Sequence, residues 1–187
     1  MAMFLVLVPF GAFGLLMLVA PIAISLFAAA ALSLGIVGYD VWRGGSIKLL
    51  TTGSVLVFGA IGAYVVLIGE LSPSAVRIAV DAGVLAIALT SLAIRLPFTL
   101  QYAREIVDAE TTKLPGFMTA NYIITWAWTA AFVLMLLANL LMIYVPGLPL
   151  WLGIGIAFAA RNSAMYFTRW YPAYRRAHYG AGSASQS

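Results

Sequence analysis

Apolar residues run through this chain in long blocks, broken by short stretches where Pro, Gly and charge collect. The first 39 residues carry no charge, and the first charged residue is Asp40. A helix needs about 20 apolar residues to cross a bilayer core, so this block is too long for one span and right for two. Pro21 lies near its middle, where it ends a helix at or before Ala20. The pattern predicts a first span over Met3 to Val19 and a second over Ile22 to Trp42, joined by a tight turn. The alternative is one long kinked helix with an interfacial segment, which leaves five spans.

The later blocks are better separated. Leu49 to Gly69 reads as a third span, closed by Glu70 and the turn-forming Ser72-Pro73-Ser74. Val76 to Ile94 is a fourth, ended by Arg95-Leu96-Pro97, and Met118 to Val145 a fifth, long enough to tilt. Pro146-Gly147-Leu148-Pro149 forms a hairpin before a sixth span, Leu150 to Tyr171. Of the eight prolines, only Pro9 falls inside a proposed span. The expected fold is all-α: a single polytopic transmembrane bundle of six spans over residues 1–179, with a small, polar, disordered tail at 180–187.

Between the fourth and fifth spans the period changes. At about 100° per residue, Gln101, Arg104, Glu105 and Asp108 share a polar arc, and the apolar residues of Phe98 to Asp108 fill the rest. This predicts a short amphipathic helix along the cytoplasmic face, with Arg104 and Asp108 spaced to pair.

Charge then orients the threading. Arg43 and Lys48 follow span two, Arg95, Arg104 and Lys113 follow span four, and Arg169, Arg175 and Arg176 follow span six. Six spans put these eight cations on one side and leave Arg77, beside Glu70 and Asp81, on the other. Cationic loops stay in the cytoplasm, so both termini are expected there, in a bacterial inner membrane. The net charge of +4 is therefore a membrane signature, and no nucleic-acid partner is expected.

The tenth cation, Arg161, lies near the middle of span six, where insertion costs roughly 2.5–3.5 kcal/mol. It should face the bundle interior or a wet cavity, with Asp81, Asp40 or Asn139 as partners, or else snorkel to the interface as an anchor. Arg161, Asn162, Asn139 and Asp81 form the candidate intramembrane polar site. Asn121, Thr125, Trp128, Phe132 and Asn139 fall on one face of span five. Gly153, Ala157, Ala160 and Ala164 give span six a small-residue face to pack against it. Arg77 and Asp81 are four apart and spaced to pair.

Absences narrow the chemistry. There is no Cys, one His (His178, in the C-terminal tail) and two lysines in loops. Thiolate, haem-ligating and retinal-type chemistries thus lack their residues inside the membrane, and Gly53-Ser54 has no intramembrane His to make a protease dyad. No cofactor is expected, and no carboxylates gather into a catalytic motif.

Several short stretches, in order, resemble the bacterial intracellular septation protein A family. They are Val8-Pro9-Phe10, the aromatic-then-basic exit Tyr39 to Arg43, Val55 to Gly59, Arg95-Leu96-Pro97, Lys113-Leu114-Pro115, and Trp128, Phe132 and Ala138-Asn139 before Pro146. The resemblance covers roughly residues 8–146. Arg161 and the segment after Pro146 have no counterpart, and the acidic run from Glu105 to Glu110 departs from the pattern. It implies a non-enzymatic inner-membrane protein of cell-envelope synthesis or division, acting as a scaffold on other membrane proteins or on itself. The residues alone leave two other expectations open. One is a small transporter or lipid-handling protein with a polar path around Arg161; the other is an accessory subunit of a larger membrane complex.

Overall fold

Pro21 turns the chain where the long apolar block predicted a break: it stands in extended conformation (φ −54°, ψ 145°) immediately before a helix over Ile22–Trp42. The computed structural model describes residues 5–69, 71–145 and 147–179. The first residues of the expected first span, Glu70, Pro146 and the tail 180–187 lie outside them. Eight helices and no strands occur among the described residues. They are α1 (Val8–Leu16), α2 (Ile22–Trp42), α3 (Leu49–Leu67), α4 (Pro73–Ala93), α5 (Phe98–Ala103), α6 (Ala109–Lys113), α7 (Pro115–Tyr144) and α8 (Leu150–Tyr179).

Prolines set most of these limits. Pro9, expected inside a span, stands in the first turn of α1, where its missing N–H costs nothing. Pro73 and Pro115 open α4 and α7, which therefore start earlier than the apolar pattern suggested. The Ser72 hydroxyl caps α4 by accepting from Ala75 N at 3.2 Å. Pro172, expected to follow the last span, instead lies inside α8, which continues to Tyr179.

Four helices are long and apolar enough to cross a membrane: α2, α3, α4 and α7. The expected first and sixth spans differ from them. α1 has nine residues, about 14 Å of helix. α8 has thirty, about 45 Å, but Arg161, Asn162 and Arg169 dilute its apolar run. The bundle is apolar on the outside. Leu56, Leu67, Trp151 and Phe158 are exposed, whereas Ser25, Ser33, Thr51, Ser54, Ser91 and Thr125 are buried. Water-soluble proteins place such residues the other way round.

Neighbours in sequence are neighbours in space: α1 packs on α2, α2 on α3, α3 on α4, and α7 on α8, while α4 also packs on α7 and closes the bundle. The α3–α4 crossing is close at two glycines. A methyl at Gly53 would stand 2.6 Å from Ile87 Cδ1, and one at Gly83 2.6 Å from Val57 Cγ1. The two glycines lie on opposite helices, so each accepts a branched side chain of the other. At the α7–α8 seam, Ala160 and Ala164 are buried and Trp128 Nε1 donates to Thr168 Oγ1 at 2.9 Å. Gly153 lies under Met142, and Ala157 is half-buried.

The expected amphipathic helix is shorter and lies deeper. α5 ends at Ala103, and Phe98, Thr99, Leu100 and Tyr102 are all buried within it, packed against α7. Asp108 starts a separate helix by accepting from Thr111 N at 2.6 Å. No ion pair joins Arg104 to Asp108 among the described residues.

The glycine contacts give a first prediction. Gly83→Ala sets a new methyl against both methyls of Val57, whereas Gly59 has open space, so Gly59→Ala isolates the gain in helix propensity. Gly83→Ala should be less stable than Gly59→Ala by about 1–3 kcal/mol, with Val57→Ala recovering much of the difference. Reversible unfolding in mixed micelles measures it.

Candidate functional site

A partly open cavity of about 180 Å³ lies between α1, α3, α4, α7 and α8. One part of its wall is polar: Arg77 and Asp81 from α4, Asn139 from α7 and Arg161 from α8. The rest is apolar and aromatic, including Phe10, Leu50, Val84, Trp128, Phe132 and Met135. An i, i+4 step on α4 puts Arg77 and Asp81 on one face, and packing of α4 on α7 brings Asn139 to it. The Asn139 amide donates to Asp81 Oδ2.

Three of the four residues of the intramembrane polar site expected from the sequence thus lie on one cavity. Asn162 does not: its amide turns back on α8 and donates to Phe158 O at 2.7 Å. Arg161 has neither of its expected carboxylate partners. Asp81 binds Asn139, and Asp40 binds Lys48. The Arg161 guanidinium lies 5.9 Å from the centre of the Phe158 ring, a cation–π contact, and its Nε is buried with no hydrogen-bond partner among the described residues. Arg77, expected to pair with Asp81, shares the cavity with it but forms no ion pair within 4 Å among the described residues.

The polar face of α7 serves three neighbours rather than α8 alone. Asn121 O and Thr125 Oγ1 meet Thr99 Oγ1 of α5 at 2.9 and 2.7 Å, Trp128 meets Thr168 of α8, and Asn139 meets Asp81 of α4. Phe132 packs at 6.4 Å from Phe98, ring centre to ring centre.

A second cluster, at the basic end of the bundle, has no signal in residue spacing. Lys48, read from the sequence as a loop cation, is 2% exposed and bridges Asp40 Oδ2 at 2.7 Å and Glu105 Oε2 at 2.9 Å. Glu105 Oε1 accepts from both Ser46 N and Ser46 Oγ at 3.1 Å, and Gln101 Oε1 accepts from Leu49 N at 2.7 Å. Glu105 and Gln101, expected on an exposed polar arc, therefore tie α5 to the α2–α3 loop. The Thr51 and Tyr102 hydroxyls are hydrogen-bonded at 2.9 Å beneath it. Nearby, Arg175 of α8 donates to Gly116 O of α7 at 3.0 Å. The ends of α2, α4 and α8 and the starts of α3 and α7 are thereby gathered at one end of the bundle. Among the described residues no three His, Cys, Asp or Glu side chains are grouped to hold a metal.

Burial by itself lowers the Lys48 pKa, but the hydrogen bonds to Asp40 and Glu105 outweigh it and hold it above its ordinary 10.5. Burial likewise raises Glu105, and the bonds from Lys48 and Ser46 outweigh it to leave the carboxyl below its ordinary 4.5. A raised Lys stabilises fully below its unfolded pKa and a lowered Glu fully above its own. The clasp therefore contributes in full between 4.5 and 10.5. Its acid share disappears as pH falls through the lowered Glu105 value, its alkaline share as pH rises through the raised Lys48 value. Lys48→Met, which strands two carboxylates, should cost about 3 kcal/mol near neutrality and flatten both limbs of a thermal-stability profile against pH.

No protein-family model, curated protein or solved structure matches the chain.

Proposed function

We propose that this chain is a polytopic membrane protein that takes a ligand into its bundle, of the lipid-handling or small-transporter kind. The observation that carries this reading is Arg161 on a cavity wall without a carboxylate partner among the described residues. An intramembrane Arg that served only to hold helices together would be expected to be paired and dry. The septation-type scaffold implied by the sequence motifs needs no such cavity, so the geometry favours the ligand reading over it.

The same proposal includes a six-crossing topology with the basic end cytoplasmic. Val6 packs with Phe98, Tyr102 and Trp128, and with Leu7 and Leu50 it lines a small crevice at the basic end. The segment from there to Pro21 thus runs the length of the bundle, although only Val8–Leu16 of it is regular helix. α8 returns antiparallel along α7, from Gly153 at Met142 to Arg175 at Gly116.

The absence of cysteine makes single-cysteine labelling direct. In sealed vesicles, Met135→Cys on the cavity wall should react with a water-soluble methanethiosulfonate, and Leu134→Cys on the lipid-facing side should not. An unreactive Met135→Cys overturns the ligand reading. Lys113→Cys and His178→Cys should label from one side and Ser74→Cys from the other; labelling of Lys113→Cys and His178→Cys from opposite sides overturns the topology.

A further inference from the structure

We infer that the cavity binds the oxyanion head of a single-chain amphiphile, a carboxylate or phosphate monoester on an alkyl chain, with the chain passing out between α1 and α8. This deepens the ligand reading above and rests on it.

Charge selects the head. Arg77 and Arg161 face the cavity with a single carboxylate, Asp81, already engaged by Asn139. The wall has one positive charge in excess, and the Arg161 Nε has no acceptor among the described residues. A cation would meet two guanidinium groups in a medium of low dielectric, and an uncharged guest would leave them unneutralised. Carboxylates and phosphates match the planar donor fork of Arg.

Shape and polarity select the rest. Away from the four polar residues the wall is apolar, with Phe10, Val84, Trp128, Phe132 and Met135 among its residues, which gives a free inorganic anion nothing to use. An apolar cavity of about 150 Å³ accepts a guest the size of benzene. The 180 Å³ here thus takes a head group with the first few methylenes, and not two acyl chains. We place the exit between α1 and α8 because of how the helices pack. α1 packs chiefly on α2 and α8 on α7, so the two walls lean on different neighbours.

The test uses the full chain in nanodiscs of zwitterionic lipid and equilibrium binding of radiolabelled dodecyl phosphate, with inorganic phosphate, dodecanol and dodecyltrimethylammonium as competitors. One dodecyl phosphate per chain is expected, displaced poorly by all three. Arg161→Gln should weaken binding roughly tenfold or more, the loss of a hydrogen bond to a charged group. Asp81→Asn removes the opposing charge and should tighten binding, a gain that a misfolded variant cannot produce. Displacement by inorganic phosphate at equal concentration would make the guest a free anion and overturn the inference, as would displacement by dodecanol, which would make the head irrelevant. Unchanged binding in Arg161→Gln, or weaker binding in Asp81→Asn, also overturns it. If Met135→Cys labels from water while dodecyl phosphate does not bind, this inference falls and the ligand reading stands. If Met135→Cys is also unreactive, both fall.

Discussion

A helix surrounded by lipid gains little by burying a leucine, because the hydrocarbon outside is as apolar as the bundle inside. What holds such helices together is close contact and internally satisfied polar groups, and this structure is organised around both. At α3–α4, glycine on each helix lets the other's branched side chain approach the backbone. At α7–α8, buried alanines do the same, and one indole–hydroxyl bond fixes the pairing. The large side chains are left to face outward, which explains why so many exposed residues are Leu, Ile, Phe and Trp.

The same constraint sorts the hydroxyl groups. Ser25, Ser33, Ser54 and Thr129 each donate to a backbone carbonyl four residues earlier, so they are satisfied within their own helix and contribute small volume rather than interhelical bonds. Bonds between elements come from other side chains, some along the helix seams, as at Trp128–Thr168 and Asn139–Asp81, and others at the basic end. Thr99 to Thr125 seats α5, Tyr102 to Thr51 anchors it to α3, and Lys48 with Glu105 locks the loop above it. α5 thus works as a plug in the basic end of the bundle, with the ion pairs at its rim.

The parts legible in the sequence were those encoded locally. Apolar block lengths located α2, α3, α4 and α7, prolines located most helix ends, and the cost of a lone Arg in an apolar run pointed to Arg161. Features that depend on a partner from elsewhere in the chain were not legible. Lys48 is buried only because Asp40 and Glu105 arrive from either side, and no spacing rule links residue 48 to residue 105. Gly53 and Gly83 matter only through the register of Ile87 and Val57. The Phe98–Asp108 arc misled for a related reason. Helical periodicity assumes one buried face, whereas α5 is surrounded and buries Phe98, Thr99, Leu100 and Tyr102 alike.

The packing around Arg161 does not require it. Ala160 and Ala164, its neighbours along α8, already fill the seam with α7, and the Trp128–Thr168 bond fixes that seam two turns away. With α8 crossing the membrane as proposed above, the Phe158 ring returns about 0.5–2 kcal/mol through its π face, against a cost of roughly 2.5–3.5 kcal/mol for a charge near mid-membrane. An apolar residue here would make the bundle easier to insert. On the ligand reading proposed above, a group held in the cavity supplies the remaining solvation of the guanidinium. The oxyanion inferred above would supply both the acceptor for Nε and the charge that two arginines and one aspartate leave uncompensated.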